Sequence, residues 1–244
     1  MVNFFSALGF LTLIPMPQKA FREDGRQILH FPLIGLLIGA LLFLVNHICA
    51  LFVYTEIRVL IDTLFLAVIT GALHLDGLAD SADGLFSHRT KEQKLEIMKD
   101  PRIGVMGTLA VIFILALKMA GLSGLKHPGN EIWLFIAPAL ARGSQVIGLV
   151  FMNYARDTGG KSQLFFQKGN YRLLVFILIP LALPFWLSLA TGFIILTLFL
   201  TVNVLLLWFF HKQIGGITGD TLGAATEITE ALVLVTAGTL IFNA

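Results

Sequence analysis

Long uncharged stretches dominate this chain and restrict what it can fold into. Residues 31–54 contain no charged side chain, and residues 173–211 contain none over 39 consecutive positions. A helix of about 20 apolar residues crosses the hydrocarbon core of a bilayer, so the first stretch suffices for one crossing and the second for two. Only 13% of the residues are charged, against about 25% in soluble domains. The sequence therefore predicts an all-α, polytopic helical membrane bundle.

The apolar segments predict about six full transmembrane helices in one integral-membrane domain that covers residues 1–244. The predicted spans are residues 31–54, 60–75, 103–122 and 132–152, followed by two within 173–211 that reverse near 190–192. Residues 4–14 are too short to cross, and two prolines follow them, which predicts a short N-terminal interfacial helix. Residues 231–242 predict a short C-terminal apolar helix, preceded by a polar stretch.

The loops between these spans differ in their content of Lys and Arg. The loops at 19–29, 84–102, 153–172 and 211–230 hold 3, 5, 4 and 1 of them, and the intervening loops near 56–59, 123–131 and 190–192 hold 1, 1 and 0. Because positive loops stay in the cytoplasm, the first set is predicted to be cytoplasmic. Thr90 and Gln93 in this set predict a capping box that opens a short helix. The same assignment gathers seven acidic residues on one face: Asp76, Asp80, Asp83, Asp100, Asp157, Asp220 and Glu227.

The densest group of acids is the run HLDGLADSADG at residues 74–84. Its aspartates Asp76, Asp80 and Asp83 fall within roughly 60° of one helix face, at about 100° per residue. Like charges on one stripe repel, so the pattern indicates that a cation binds there, and oxygen ligands favour Mg²⁺, Mn²⁺ or Ca²⁺. Small neighbours such as Gly77 leave room for a ligand near the backbone. The alternative is an acid-rich, solvated helix end.

A second acidic motif lies near the C-terminus. Asp220 and Glu227 are seven residues apart and share one face of a helix, which suggests that a second helix completes the metal site. The alternative is a flexible loop followed by a capped helix. His74 faces away from Asp76 on an ideal helix, which favours a hydrogen-bonded structural role over that of a base.

Several basic residues are candidates for binding phosphate. Lys99, Arg102 and Arg156 lie where loops meet spans, a position that the cytoplasmic bias alone also explains. Arg142 lies about ten residues into the fourth span, where a cation costs about 2.5 kcal/mol or more unless it is paired. It either binds phosphate or forms an ion pair with an acid of another helix. Lys118, near the end of the third span, is expected to extend its ammonium group towards the interface.

Grouped carboxylates, arginines and a membrane surface together suit phosphoryl transfer. Metal ions neutralise diphosphate oxygens and stabilise the leaving phosphate, and a carboxylate accepts the proton of an attacking hydroxyl. The pattern predicts a Mg²⁺-dependent transferase that joins an alcohol to a phosphate of a nucleoside diphosphate derivative and releases a nucleoside monophosphate. A CDP-alcohol phosphotransferase making a phospholipid is one alternative, although its motif differs in Asp-Gly order and spacing. An ion-coupled transporter is the alternative outside enzymes.

Five segments in this order resemble the cobalamin synthase (adenosylcobinamide-GDP ribazoletransferase) family. They are FLTLIPMP at 10–17, FPLIG at 31–35, HLDGLADSADG at 74–84, MKDPRIG at 98–104, and GDTLGA at 219–224 with Glu227. The resemblance covers essentially the whole chain. It implies the last assembly step of coenzyme B12, in which adenosylcobinamide-GDP and α-ribazole, or its 5′-phosphate, react with release of GMP.

The resemblance also implies where this reaction occurs and what takes part. The expected location is the inner membrane of a prokaryote, among membrane lipid, with the active face towards the cytoplasm and the corrinoid along that surface. The expected cofactor is Mg²⁺, with Mn²⁺ as a substitute. No nucleic acid is expected as a partner, and the chain is compatible with a homo-oligomer.

Residue roles carry over onto the matching positions. The implied metal ligands are Asp76, Asp80, Asp83, Asp220 and Glu227. Asp83 is the implied base, and Asp80 is the second implied catalytic residue. The implied substrate- and phosphate-binding residues are Gly77, Lys99, Asp100, Arg102, Arg142 and Arg156.

Overall fold

The computed structural model describes residues 2–17, 19, 25–125, 129–156 and 165–240 of the chain. Within these residues the protein forms ten α-helices and no β-strand, which confirms the all-α class. The helices are α1 (Val2–Leu11), α2 (Phe31–Cys49), α3 (Thr55–Ile69), α4 (Leu73–Leu85), α5 (Lys91–Ile97), α6 (Val105–Gly124), α7 (Ile132–Phe151), α8 (Leu178–Leu187), α9 (Leu189–Ile214) and α10 (Gly219–Leu240). Short 3₁₀ helices at Arg26–His30 and Tyr171–Ile177 lead into α2 and α8.

Fewer helices than predicted are full membrane spans. In the described part of the chain, four are long and apolar enough to cross: α6, α7, α9 and the continuous segment Arg26–Cys49 that ends with α2. A fifth crossing is possible if α3 and α4, which are bent by 85° relative to each other, together form one broken span. By length and composition, the described residues thus contain four or five candidate spans, against the six predicted. The predicted interfacial helix exists as α1, although whether it lies at an interface stays a prediction.

The span predicted over residues 60–75 is interrupted before the aspartate motif. Helix α3 ends at Ile69, and Gly71 and Ala72 adopt φ values of 60° and 57°. Right-handed helix cannot continue through two residues in the left-handed region, and glycine tolerates that region best. The backbone N–H of Leu13 donates to the Ile69 carbonyl at 2.8 Å, which ties the segment after α1 to this break. The break redirects α4, so its aspartates do not continue the axis of α3.

The uncharged stretch 173–211 reverses at Ser188, slightly earlier than predicted. The Ser188 hydroxyl accepts from the Thr191 backbone N–H at 3.0 Å and caps α9, which is 26 residues long. The first half of the stretch begins in a 3₁₀ helix and contains Pro180 and Pro184. Proline removes a backbone donor and restricts the preceding turn. Tyr171–Leu187, which ends at the Ser188 reversal, falls short of the length of a full span.

The C-terminal helix is longer than predicted and belongs to the core. Helix α10 begins at Gly219, within the stretch predicted to be polar, and runs for 22 residues. Thr218 and Thr221 exchange hydrogen bonds between side chain and backbone at 2.8 and 3.3 Å, which caps this end of the helix. Most α10 side chains are buried against α4, α6, α7 and α9. Residues 241 and 242 of the predicted helix lie outside the described residues.

Glycines allow the central helices to approach closely. A Cβ on Gly35 or Gly39 of α2 would lie 2.5 Å from a carbonyl oxygen of α7, and one on Gly121 of α6 would lie 2.5 Å from the backbone of Leu234 in α10. Small residues four apart are a common way for membrane helices to make backbone contact. The order of these contacts makes α2 antiparallel to α7. The starts of α2, α6 and α10 and the ends of α7 and α9 therefore meet at one end of the bundle.

Candidate functional site at the acidic end of the bundle

Helices α4 and α10 cross through two glycines. A Cβ on Gly77 would lie 2.8 Å from the Asp220 carbonyl oxygen, and a Cβ on Gly223 would lie 3.2 Å from the Cα of His74. This crossing brings the first turn of α10 against the aspartate motif of α4. The charges of Asp76, Asp83 and Asp220 all act on Asp80, and that of Arg156 opposes them. We refer to these four aspartates as the acidic cluster; the structure brings together four of the five predicted ligands.

Asp76 and Asp80 are the unpaired members of the acidic cluster. Among the described residues, neither side chain takes part in a hydrogen bond or an ion pair. Asp76 is exposed and Asp80 is half-buried. They are four residues apart on one helix, where like charges destabilise by about 0.2–0.5 kcal/mol. Unpaired carboxylates held together in this way favour binding of a positively charged group.

Asp83 is held by backbone groups at the start of α6. Its two oxygens accept from the N–H of Gly104 at 2.7 Å and of Gly107 at 2.9 Å. A Cβ on Gly107 would clash with the Asp83 carboxylate and would lie 2.9 Å from the Ala79 carbonyl oxygen. A carboxylate also stabilises the positive end of a helix dipole. Asp83 therefore anchors α6 to α4; its assignment as the base stays a prediction, and these two hydrogen bonds make it a poorer candidate than an unpaired carboxylate.

Asp220 is paired with Arg156. The Arg156 Nη2 atom donates to Asp220 Oδ2 at 2.9 Å, and the Thr218 hydroxyl donates to the same oxygen at 3.2 Å. A backbone hydrogen bond of 2.9 Å from Ala155 to Ile217 joins the loop after α7 to the loop before α10. This link brings the guanidinium to the acidic cluster, as a phosphate-binding role requires.

Glu227 lies apart from the acidic cluster, in a buried network of four charges. Lys118 of α6 lies 2.6 Å from Glu227 Oε2 and 2.7 Å from Glu230 Oε1, both on α10. Arg142 of α7 pairs with the other oxygen of Glu230. All four residues are at most 4% exposed. We call these residues the buried ion network; it joins three helices and carries no net charge when all four are ionised.

This network changes how two cations are interpreted. Of its two predicted roles, Arg142 has the second: it forms an ion pair with an acid of another helix. This geometry does not support phosphate binding. The prediction that Lys118 extends towards the interface is wrong, because its ammonium group is enclosed between two carboxylates. Glu227 makes its contact with Lys118, so the structure does not bring it together with the other predicted metal ligands.

The predicted phosphate-binding residues after α5 lie on the surface. Lys99 pairs with exposed Glu96 at 3.1 Å. Arg102 donates to Asp100 at 2.9 and 2.6 Å, and these bonds lower the pKa of the Asp100 carboxyl to about 2. Among the described residues, no hydrogen bond or ion pair connects this segment to Asp76 or Asp80. The segment is connected to the acidic cluster through the chain: Gly104, whose N–H donates to Asp83, follows two residues after Arg102.

His74 has the hydrogen-bonded structural role that the sequence favours. It is 3% exposed, and its Nε2 lies 3.3 Å from the amide nitrogen of Gln145 on α7. The same amide donates to the Thr226 hydroxyl of α10 at 2.7 Å. Gln145 thus bridges α4 and α10, a role that the spacing of polar residues in the sequence does not predict. A polar amide within a predicted membrane span was the available signal.

The described residues contain no preformed metal cage. No group of three or more His, Cys, Asp or Glu side chains among them is arranged to hold an ion. The carboxylates of the acidic cluster are nevertheless hard oxygen donors, and Asp76 and Asp80 have no competing partner among the described residues. Mg²⁺ is commonly bound by one or two carboxylates together with substrate phosphates. The donor set suits that kind of site. Asp157 lies outside the described residues.

Replacing Gly77 with alanine is expected to reduce activity at least tenfold. The added methyl group would meet the Asp220 backbone at 2.8–2.9 Å and push α4 away from α10. Misplacement of about 1 Å can reduce an enzymatic rate about 100-fold. Overpacking costs about 1–3 kcal/mol, partly offset by about 1 kcal/mol of helix propensity. Turnover and thermal unfolding of the purified variant would be measured together.

The matched control is Gly143→Ala on α7. Its Cβ would meet Ile177 and Phe199 only at 3.4–3.5 Å, which is ordinary contact, so activity should stay close to that of the unmodified protein. Equal turnover of the Gly77 and Gly143 variants would show that the close approach of α4 to α10 does not matter for activity.

The fold and the site together define a helical integral-membrane protein with clustered carboxylates and an arginine at one end of its bundle. The sequence profile of the cobalamin-5-phosphate synthase family matches residues 3–238. The chain belongs to this family and is an enzyme, a transferase of cobalamin biosynthesis.

Curated relatives resemble the chain over nearly its whole length. The adenosylcobinamide-GDP ribazoletransferase of Alkaliphilus metalliredigens is 37% identical over 244 residues, covering 96% of this chain and 94% of the relative. The protein of the same name from Thermoanaerobacter pseudethanolicus is 37% identical and covers 94% of each chain. That from Klebsiella pneumoniae is 36% identical, covering 96% of this chain and 98% of the relative. No solved structure matches the chain.

Proposed function

We propose that this protein transfers the cobinamide phosphate of adenosylcobinamide-GDP to α-ribazole, or to α-ribazole 5′-phosphate, and releases GMP. The observation that carries the proposal is the contact of α4 with α10, which places Asp76 and Asp80 beside Asp220 and its partner Arg156. The names of relatives that match over nearly the full chain supply the substrates. The product is adenosylcobalamin or its 5′-phosphate.

The proposed step forms one bond and breaks one. A ribose hydroxyl of the acceptor attacks the phosphorus that bears the cobinamide side chain, and the bond from that phosphorus to the oxygen bridging to GMP breaks. The leaving oxygen stays with GMP, and the hydroxyl proton must go to a base. Asp80 is our choice of base, because its carboxylate has no partner among the described residues, whereas both oxygens of Asp83 accept backbone hydrogen bonds.

The acidic cluster would hold Mg²⁺, with Mn²⁺ as a substitute. Asp76, Asp80 and Asp220 are the candidate ligands. When bound, the ion would neutralise charge on the diphosphate and on leaving GMP. Arg156 already lies against Asp220, and its planar guanidinium suits phosphate oxygens. Lys99 and Arg102 are exposed on the neighbouring segment and stay candidates for contacting the nucleotide.

We further propose that the acidic end faces the cytoplasm of a prokaryotic inner membrane. The segments 19–29, 84–102 and 153–172 and the short turn before α10 connect helix ends at this end of the bundle, and together with Lys212 at the end of α9 they carry most of the Lys and Arg residues. Positive loops are retained in the cytoplasm. Soluble nucleotide substrates would then reach the cluster directly.

The test is an assay of purified membranes that contain the protein. Adenosylcobinamide-GDP and α-ribazole are supplied together, and GMP and the corrinoid product are measured with and without EDTA. GMP release that needs both substrates and stops with EDTA is the expected result, restored by added Mg²⁺. CMP release from a CDP-alcohol with incorporation of a lipid alcohol would instead indicate the phospholipid synthase. Counterflow in proteoliposomes without turnover would indicate a transporter.

A further inference from the structure

A cavity of about 260 Å³ opens beside the acidic cluster. Its lining comes from α1, α2, α4, α7, α10 and the segment at residue 165, so it lies where these elements converge. Asp76 and Asp220 are part of the lining, and the remaining walls are mostly apolar. Any molecule that occupies this cavity therefore extends to the carboxylates proposed to act in phosphoryl transfer.

One wall of the cavity consists of aromatic rings. Phe10 stacks on Phe31 with ring centroids 5.9 Å apart and planes inclined by 13°. Phe165 packs against Phe10 at 4.7 Å. Phe10 nevertheless remains 40% exposed, so part of its surface is available to a ligand. Aromatic rings held in this way favour flat, apolar ligands, and especially other aromatic rings.

Two buried polar groups also line the cavity. His74 and Gln145 are 3% and 4% exposed, and the Gln145 amide lies between the His74 ring and Thr226. Small ligand sites typically combine apolar walls with a few placed polar groups that fix the orientation of the ligand. An imidazole and an amide can each donate to, or accept from, a ring nitrogen.

The size of the cavity excludes the corrinoid part of the other substrate. At about 260 Å³ it is smaller than the roughly 300–1,000 Å³ that holds a drug-sized molecule. A corrin macrocycle is far larger than a drug-sized molecule and cannot enter. A single bicyclic base with part of its sugar is the right class in shape and polarity.

We propose that this cavity binds the heteroaromatic base of the acceptor nucleoside. The base lies against Phe10 and near Gln145, and its ribose lies at the border formed by Asp76 and Asp220, where the attacking hydroxyl is needed. This inference rests on the proposed function, since it assigns the position of one of its two substrates. The bulky corrinoid then stays outside, and only its phosphate approaches the cluster.

The test compares variants at Phe10 in purified full-length protein. Phe10→Leu removes the aromatic surface, and Phe10→Tyr keeps it. Loss of one stacked ring typically reduces affinity by between about fivefold and 100-fold. We expect Phe10→Leu to raise the KM for α-ribazole at least fivefold, to leave the KM for adenosylcobinamide-GDP unchanged, and to change kcat little. Phe10→Tyr should stay close to the unmodified protein.

A matched control is Phe113→Leu, which removes a ring from a separate apolar groove between α6 and α9. It should leave both KM values unchanged. Leu149→Phe, which fills the cavity from α7, should weaken α-ribazole in the same way as Phe10→Leu. An unchanged KM for α-ribazole in both cavity variants, or a rise confined to the KM for the nucleotide, would overturn the assignment.

Failure of the subsite and failure of the proposed function give different results. If the unmodified protein releases no GMP, the proposed function fails. In that case equilibrium binding of labelled α-ribazole to the protein, without nucleotide, decides the cavity assignment. Binding that Phe10→Leu weakens and Phe113→Leu does not weaken supports the cavity site. Absence of binding, or equal binding by both variants, overturns it.

Discussion

Asp80→Asn is expected to reduce turnover at least 100-fold at ordinary Mg²⁺ concentration while the bundle stays folded. Asparagine has nearly the shape of aspartate but cannot accept a proton as a base, and it is a weaker ligand for a hard cation. General-base catalysis alone is typically worth between about 100-fold and 10,000-fold. Turnover is measured as GMP release from adenosylcobinamide-GDP and α-ribazole by the purified variant.

Stability should respond in the opposite direction. The carboxylate of Asp80 is repelled by Asp76, Asp83 and Asp220, so its removal should leave Tm unchanged or raise it slightly. Glu96→Gln is the control, because Glu96 is an exposed acid that pairs with Lys99 on the surface and such pairs contribute little. Near-normal turnover of Asp80→Asn, or a loss of turnover that simply follows unfolding, would contradict the role proposed for Asp80.

The residues that form the acidic cluster could be predicted from the sequence, but the arrangement of their carboxylates could not. The spacing of Asp76, Asp80 and Asp83 places them on one face of a helix, and the structure has them on α4 within one acidic cluster. The distribution of Lys and Arg among the loops also predicted that Asp220 lies on the same side of the membrane as these three aspartates. Both inferences use local periodicity and chain reversal, which the linear sequence contains. The capping box of Thr90 and Gln93 is confirmed for the same reason.

What the sequence could not provide is the choice of partners between distant segments. Arg142 had two interpretations, and only the packing of α7 on α10 shows that Glu230 reaches it. Lys118 was assigned to the interface because its position in the span does not reveal the two carboxylates of α10 facing it. Lys118 and Arg142 within otherwise apolar spans were a signal that each pairs with an acid, since unpaired charges there are costly.

The break in the backbone between α3 and α4 is a second feature that the hydropathy pattern did not predict. The apolar pattern continues through Thr70, Gly71 and Ala72, so hydropathy predicted one uninterrupted span. The N–H groups of Gly71 and Ala72 donate to the carbonyls of Val68 and Ala67, which closes the end of α3 locally, and the hydrogen bond from Leu13 to Ile69 adds a tertiary contact at this break. The aromatic wall of the cavity could not be predicted from the sequence either. Phe10, Phe31 and Phe165 are far apart in the chain and meet only in the folded bundle.

Glu230→Gln is expected to lower stability by about 3–5 kcal/mol, the usual cost of removing one partner from a buried ion pair. Glu230 is 1% exposed and binds both Lys118 and Arg142, so the substitution leaves an excess positive charge inside the bundle. Thermal unfolding of the purified protein in detergent should show a large fall in Tm. The same charge imbalance should loosen α6 and α7 from α10, and turnover should fall because α10 also carries Asp220.

We attribute the loss of stability in Glu230→Gln to the unbalanced charge rather than to the loss of any one contact. A second substitution distinguishes these two causes. Lys118→Met removes one cation, so Lys118→Met with Glu230→Gln leaves Arg142 and Glu227 with balanced charges. The stability effects of substituting two residues in one network are not additive. The double variant should therefore be more stable than Glu230→Gln alone. If its destabilisation equals the sum of the two single effects, the residues act independently, and the buried ion network does not hold α6, α7 and α10 together as a unit.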